Sequence, residues 1–162
     1  MEIYIMQHGQ AFSKEVDPER SLSLDGQDQV AASAQALEKI GVGLDLIAVS
    51  PKKRARQTAE IVAQSLSYPV EDIKITESLQ PTAPAAEAIA FLKAYEDKER
   101  VFLAGHLPSV GEIASDLLSE GSHVSIHFEM GGVCRIDVDM VQAGSGDLRY
   151  YLTPDQLRRI AK

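Results

Sequence analysis

Apolar positions along the chain alternate between short unbroken runs and longer stretches with helical spacing. Glu2–Met6 is a short apolar stretch before a Gly-containing turn, which predicts a first strand. Ser23 and Asp25 are candidate caps for a helix to about Ile40, with Val30, Ala34 and Leu37 on one face and Gly41 and Gly43 to end it. Leu46-Ile47-Ala48-Val49 is continuous, as expected of a strand buried on both faces. Ala55, Ala59, Val62 and Leu66 then recur at helical spacing behind Pro51, a residue suited to the first helical position. Ile73 and Ile75 suggest a short strand, and Pro84 opens a helix with Ile89, Leu92 and Tyr95 inward. Val101-Phe102-Leu103-Ala104 is a second buried-strand run, followed by a helix from about Pro108 to Leu118 that carries Val110, Ile113, Ala114 and Leu117 toward the core. The period then changes to two: Cys134, Ile136, Val138 and Met140 alternate with Arg135, Asp137 and Asp139. Ala143–Gly146 can turn that strand back into Leu148–Leu152, and a short helix, Pro154 to Ile160, ends the chain.

Strand–helix alternation followed by a hairpin predicts an α/β fold. The expected form is a three-layer α/β/α sandwich whose central sheet is mostly parallel, with an antiparallel C-terminal hairpin, in a single domain over residues 1–162. In such sheets the loops at the carboxyl ends of the strands build the ligand site. Three of those loops carry Gln7-His8-Gly9, Ser50 to Arg54, and Gly105-His106-Leu107-Pro108, so residues 8, 54 and 106 are expected at one sheet edge.

Composition narrows the function. Hydrophobic residues at 44% and charged residues at 25% are globular values and argue against disorder. No apolar run approaches the roughly 18 residues that span a bilayer, and the short N-terminal run lacks the basic flank of a signal peptide. The lone Cys134 excludes a disulfide framework and a thiolate metal cluster, so a soluble cytoplasmic protein is expected. Sixteen Lys and Arg against 24 Asp and Glu give a net charge of −8, which argues against nucleic-acid and anionic-membrane binding. Lys52, Lys53, Arg54 and Arg56 nevertheless fall within five consecutive positions, either as a solvated helix face or as a receiver of anions.

Each of two histidines follows a strand. His8 precedes Gly9, which permits close backbone approach, and His106 sits between Gly105 and a helix start whose free N–H groups favour an anion. A single histidine at a strand end is commonly satisfied by a backbone carbonyl. Two in equivalent positions with a basic cluster between them point to anion chemistry. His123 and His127 lie in a less regular stretch and read as structural or surface residues. The histidines lack metal-ligand spacing, so no metal and no cofactor is expected.

Gln7-His8-Gly9, the segment Ser50-Pro51-Lys52-Lys53-Arg54-Ala55-Arg56-Gln57-Thr58-Ala59, and Gly105-His106-Leu107-Pro108 together resemble the three signatures of the histidine phosphatase (phosphoglycerate mutase-like) superfamily. The short length resembles its SixA-type branch of phosphohistidine phosphatases, and Arg20-Ser21-Leu22-Ser23-Leu24-Asp25-Gly26 looks like that branch's Arg-Pro-Leu-Thr-x-x-Gly segment. Leu79-Gln80-Pro81 stands where mutases and acid phosphatases carry a proton-donating glutamate, and aligning Glu77 there would be forced.

The resemblance implies His8, Arg54 and His106 as catalytic residues, with Gln7, Gly9, Arg20, Ser50 and Leu107 around the phosphoryl group. It implies a neutral His8 as nucleophile, Arg54 as a charged fork, and a His106 protonated by anionic surroundings. A missing acid is tolerable when the bond broken is P–N to imidazole. The implied partner is a phosphorylated histidine-containing protein, and a monomer is expected. The departure is Gln7, a neutral amide where the family has arginine. Losing a charged donor from a phosphate pocket costs on the order of 10²–10³ in rate. Either Arg20 supplies the missing charge, or the protein binds phosphoryl groups and turns them over poorly. Arg56, two positions past Arg54 on a helix, is expected to point to solvent.

Overall fold

The computed structural model describes residues 1–162. One six-stranded sheet is built from β1 (Glu2–Gln7), β2 (Leu46–Val49), β3 (Lys74–Ile75), β4 (Arg100–Gly105), β5 (Val133–Val138) and β6 (Gly146–Leu152). Their order across the sheet is β3-β2-β4-β1-β5-β6. β3, β2, β4 and β1 pair in parallel, β5 runs antiparallel to β1, and β6 runs antiparallel to β5.

The helices are α1 (Leu24–Lys39), α2 (Lys53–Ser65), α3 (Ala85–Lys93), α4 (Ser109–Leu118) and α5 (Pro154–Ala161). Strand alternation sorts them into two outer layers. Ile3 and Ile5 of β1 join Leu46, Val101 and Leu103 under α3 and α4, whereas Tyr4 and Met6 join Ile47, Phe102 and Ala104 under α1, α2 and α5. The four residues of β2 are buried on both faces, as continuous apolar strands between two helical layers must be. The fold is the α/β/α sandwich that the alternation implied.

Local chemistry sets the boundaries. The Ser23 side chain accepts from Gly26 N–H to start α1, while Gly41, at φ +81°, lets its own N–H and that of Val42 reach back to the Glu38 and Leu37 carbonyls. Pro51 is not the first helical residue expected from the sequence. The Ser50 hydroxyl accepts the Lys52 N–H at 3.3 Å, a turn intervenes, and α2 begins at Lys53. The period-two stretch also stops early. β5 ends at Val138, and Met140 lies in the turn, 61% exposed, with its carbonyl accepting from Ser145.

Candidate active site

The sheet register sets the site. Gln7 of β1 lies opposite Gly105 of β4, and Val49 of β2 lies opposite Ala104. One step further, the His8 N–H donates to the Gly105 carbonyl at 3.0 Å and the Ser50 N–H to the Ala104 carbonyl at 3.1 Å. His8 and His106 therefore leave adjacent parallel strands at the same level, with Ser50 of the third strand one residue below them. The His8 and His106 ring centroids are 4.9 Å apart, and both residues are buried.

Gly9 allows this packing. A Cβ there would sit 2.5 Å from Val30 Cγ2 and 3.0 Å from the Gly26 carbonyl oxygen. The Gly9 N–H donates to Thr58 Oγ1, which itself donates to the Arg54 carbonyl, so the first loop is bonded to the first turns of α2. This brings the Arg54 side chain, also buried, to His8.

The hydrogen bonds assign the proton positions. His8 Nδ1 lies 2.7 Å from the Gly9 carbonyl, which can only accept, so Nδ1 carries the proton. Nε2 then presents its lone pair, and Arg54 Nε donates to it at 3.1 Å. Burial, with the Arg54 and Arg20 charges adding to it, lowers the His8 pKa to about 4, which keeps the imidazole neutral and nucleophilic at neutral pH.

His106 departs from the sequence expectation. Its surroundings in the free protein are cationic, not anionic: burial first, then His8, Arg54, Lys52 and Arg20, push its pKa down to about 3. Its Nε2 lies 2.8 Å from Ser50 Oγ. That hydroxyl also accepts the Lys52 N–H, and with a second lone pair and its own proton it can pair with either tautomer of His106. The His106 Nδ1 is buried without a partner. A phosphoryl dianion beside it would reverse the local sign of charge and raise the His106 pKa.

Arg54, bonded to His8, also lines a cleft of about 860 Å³ that neither histidine borders. One wall is the loop after β1, with Lys14, Pro18, Glu19 and Arg20; the other is the start of α2, with Lys52, Lys53, Arg54, Arg56, Gln57 and Glu60. Pro81 borders it, next to Gln80, whose side chain donates to Glu77. The loop is fixed by the Ala11–Leu22 bridge, by Leu22 N–H donating to Gln57 Oε1 at 2.7 Å, and by the Asp17 carboxylate accepting from the Glu19 and Ser21 amides. Arg20 adopts φ +50° and hydrogen-bonds the Phe12 carbonyl, which holds it on the cleft beside Arg54. Arg56 is exposed, yet it lines this cleft, where the sequence reading had it pointing elsewhere.

Gln7 faces a different space. It lines a hollow of about 370 Å³ with Gln29, Leu107, Phe128, Glu129, Met130 and Pro154, and no cation borders it. The Gln7 carbonyl accepts the Gly131 N–H at 3.0 Å, which ties the 128–132 loop to the first motif. His123 and His127 are exposed. No group of three or more His, Cys, Asp or Glu side chains is arranged to hold a metal ion. The sequence reading missed Lys14 and Gln57 in the cleft and the Phe128–Met130 segment of the hollow; Asp17-Pro18 was a turn signal for the first.

Residues 3–80 match the family described as the histidine phosphatase superfamily (branch 1). The chain is 32% identical over 136 residues to a phosphohistidine phosphatase SixA homolog of Haemophilus influenzae, a match covering 78% of this chain and 83% of that one. It is 27% identical over 161 residues to phosphohistidine phosphatase SixA of Escherichia coli (strain K12), covering 98% and 97%. Among solved structures, the protein histidine phosphatase SixA complexed with tungstate superposes with a TM-score of 0.86 at 28% identity, covering 97% of this chain and 99% of that one. The strand-end histidines, the Arg54 fork and these likenesses agree: the chain belongs to the histidine phosphatase superfamily, with the SixA-type proteins.

Proposed function

We propose that this phosphatase removes phosphoryl groups from histidine side chains of proteins through a phosphohistidine intermediate on His8. The observation that carries the reading is the His8 imidazole, locked by the Gly9 carbonyl into the tautomer whose Nε2 lone pair meets Arg54. In the first step Nε2 attacks phosphorus in line, the P–N bond to the substrate imidazole breaks, and the departing nitrogen takes up a proton. Arg54 moves its hydrogen bond from His8 to the equatorial oxygens, and the His106 ring beside His8 adds a further donor there. Water then cleaves the enzyme's own P–N bond and releases orthophosphate. The named relatives act on phosphohistidine by their names, and this chain carries Gln80, not a glutamate that would protonate an alkoxide.

A second reading, a phosphoryl-binding module with weakened turnover, rests on Gln7. The presence of Arg20 on the cleft beside Arg54 speaks against it, because the cation absent at position 7 is offset from the loop wall. The experiment is orthophosphate release from a phosphohistidine peptide by wild type, His8→Ala and Gln7→Arg. The expected result is turnover by wild type and a loss of at least about 10³-fold in His8→Ala. A silent wild type that Gln7→Arg rescues would replace the phosphatase reading with the binding module.

A further inference from the structure

We propose that the basic cleft and the sheet-edge hollow beside it form a docking track for an acidic protein segment that carries the phosphohistidine. This rests on the phosphatase reading above and names the kind of substrate surface the site takes.

The argument starts from charge. The chain as a whole is at −8, yet six cations, Lys14, Arg20, Lys52, Lys53, Arg54 and Arg56, border one cleft against two acids, Glu19 and Glu60. Of the outer cations, Lys53 is paired with Glu19 at 2.8 Å, while Lys14, Lys52 and Arg56 have no ion-pair partner. A phosphoryl group needs only the floor, Arg54 and Arg20 over His8. The remaining cations stand further out, where they would meet groups that flank the phosphoryl group. An otherwise acidic surface repels an acidic protein at long range, so such a partner needs a local patch of the opposite sign.

Shape gives the second, independent observation. About 860 Å³ lies in the upper part of the ~300–1,000 Å³ range that holds whole small ligands. The cleft wall has no apolar or aromatic residue other than three prolines, so it offers no stacking platform for a base. It continues instead into a hollow of about 280 Å³ that shares Arg56 and Glu60 with it and adds Val49, Val70, Ile73 and Ile75. Ile75, 55% exposed, is on the two-residue edge strand β3. A path from the phosphoryl site over cations to exposed apolar residues fits a polypeptide: acidic side chains next to the phosphohistidine, then an apolar side chain at the sheet edge.

The test compares free phosphohistidine with two phosphohistidine peptides, one flanked by Asp and Glu and one by Ala, each ending in Leu on the far side. Wild type is expected to prefer the acidic peptide by about tenfold in kcat/KM, carried by KM. The variant Lys14→Ala/Lys53→Ala/Arg56→Ala should lose that preference and hydrolyse free phosphohistidine at the wild-type rate. Ile75→Ser should raise KM for both peptides and leave free phosphohistidine unchanged. Equal rates on the two peptides, or a preference that survives the triple substitution, would overturn the proposal. So would tripolyphosphate that is hydrolysed faster than the acidic peptide, which would assign the cleft to small polyanions. If wild type fails even on free phosphohistidine, the phosphatase reading falls instead, a distinguishable result.

Discussion

Two regions flank the buried His8–His106 pair, and they differ in charge. On one side six cations crowd the cleft between the β1 loop and α2; on the other, Gln7, Gln29 and Glu129 share a hollow with Leu107, Phe128 and Met130, without any cation. The family's first-motif arginine falls, in this chain, on the uncharged side. On the proposed function, the difference means that the phosphoryl pocket takes its fixed charge from one side. What matters is that permanent donors reach the equatorial oxygens, not which strand end supplies them.

The comparison breaks most visibly at Arg54. Arg54→Lys keeps a charge but loses the planar fork, and kcat/KM on a phosphohistidine peptide should fall about 10²-fold. If the loss were no larger than at an outer cation, the cleft would be an electrostatic funnel with no special position. The pH dependence of stability comes next. Both buried histidines have folded pKa values well below the free value, near 4 for His8 and near 3 for His106, so the unfolded chain binds the extra protons. Stability is complete above about pH 6.5 and falls as pH drops toward 4, by up to about 1.4 kcal/mol per pH unit for each histidine. Urea unfolding at a series of pH values should show this slope, and His106→Asn should reduce it. A saturating phosphate analogue should flatten it as well.

Arg20 and Gln7 sharpen the contrast. Arg20→Ala should lower kcat about tenfold, whereas Gln7→Arg should change it by less than about threefold, since the charge already arrives from the loop wall. A large gain in Gln7→Arg would show that the uncharged side limits the reaction. The smallest effect concerns the anchor of that side. Ser33 Oγ donates to the Gly131 carbonyl at 2.7 Å in a buried setting, so Ser33→Ala should cost about 1–2 kcal/mol in thermal unfolding while kcat stays near wild type.

The fold was largely legible because its signals are local. The continuous runs at Leu46–Val49 and Val101–Ala104, the Ser23 cap and Gly41 each declare an element without reference to the rest of the chain. The positions of residues 8, 54 and 106 at one sheet edge also followed from parallel topology. What the sequence hid depends on contacts distant along the chain. Nothing in Lys14 or Arg20 announces a cleft wall, because the 10–22 loop is held there by Gln57 and Asp17. The state of His106 in the free protein was hidden for the same reason: burial and its neighbours Arg54, Lys52 and Arg20, which come from other elements, hold its pKa down when no anion is bound. The hollow beside Gln7 likewise depends on the 128–132 loop, tied to the Gln7 carbonyl by the Gly131 N–H from more than a hundred residues away.

The rung at which β1, β2 and β4 end works as a ruler for the chemistry. Gln7 opposite Gly105 gives the two histidines a common starting height, and Val49 opposite Ala104 sets Ser50 one residue below them, by backbone pairing alone. Side chains around the site can therefore vary without moving the His8 ring. One residue gained or lost inside any of these strands would shift a whole loop by about 3.3 Å, longer than any hydrogen bond that holds the pair, and turn its side chains to the other face. Substitutions are absorbed here, and insertions are not.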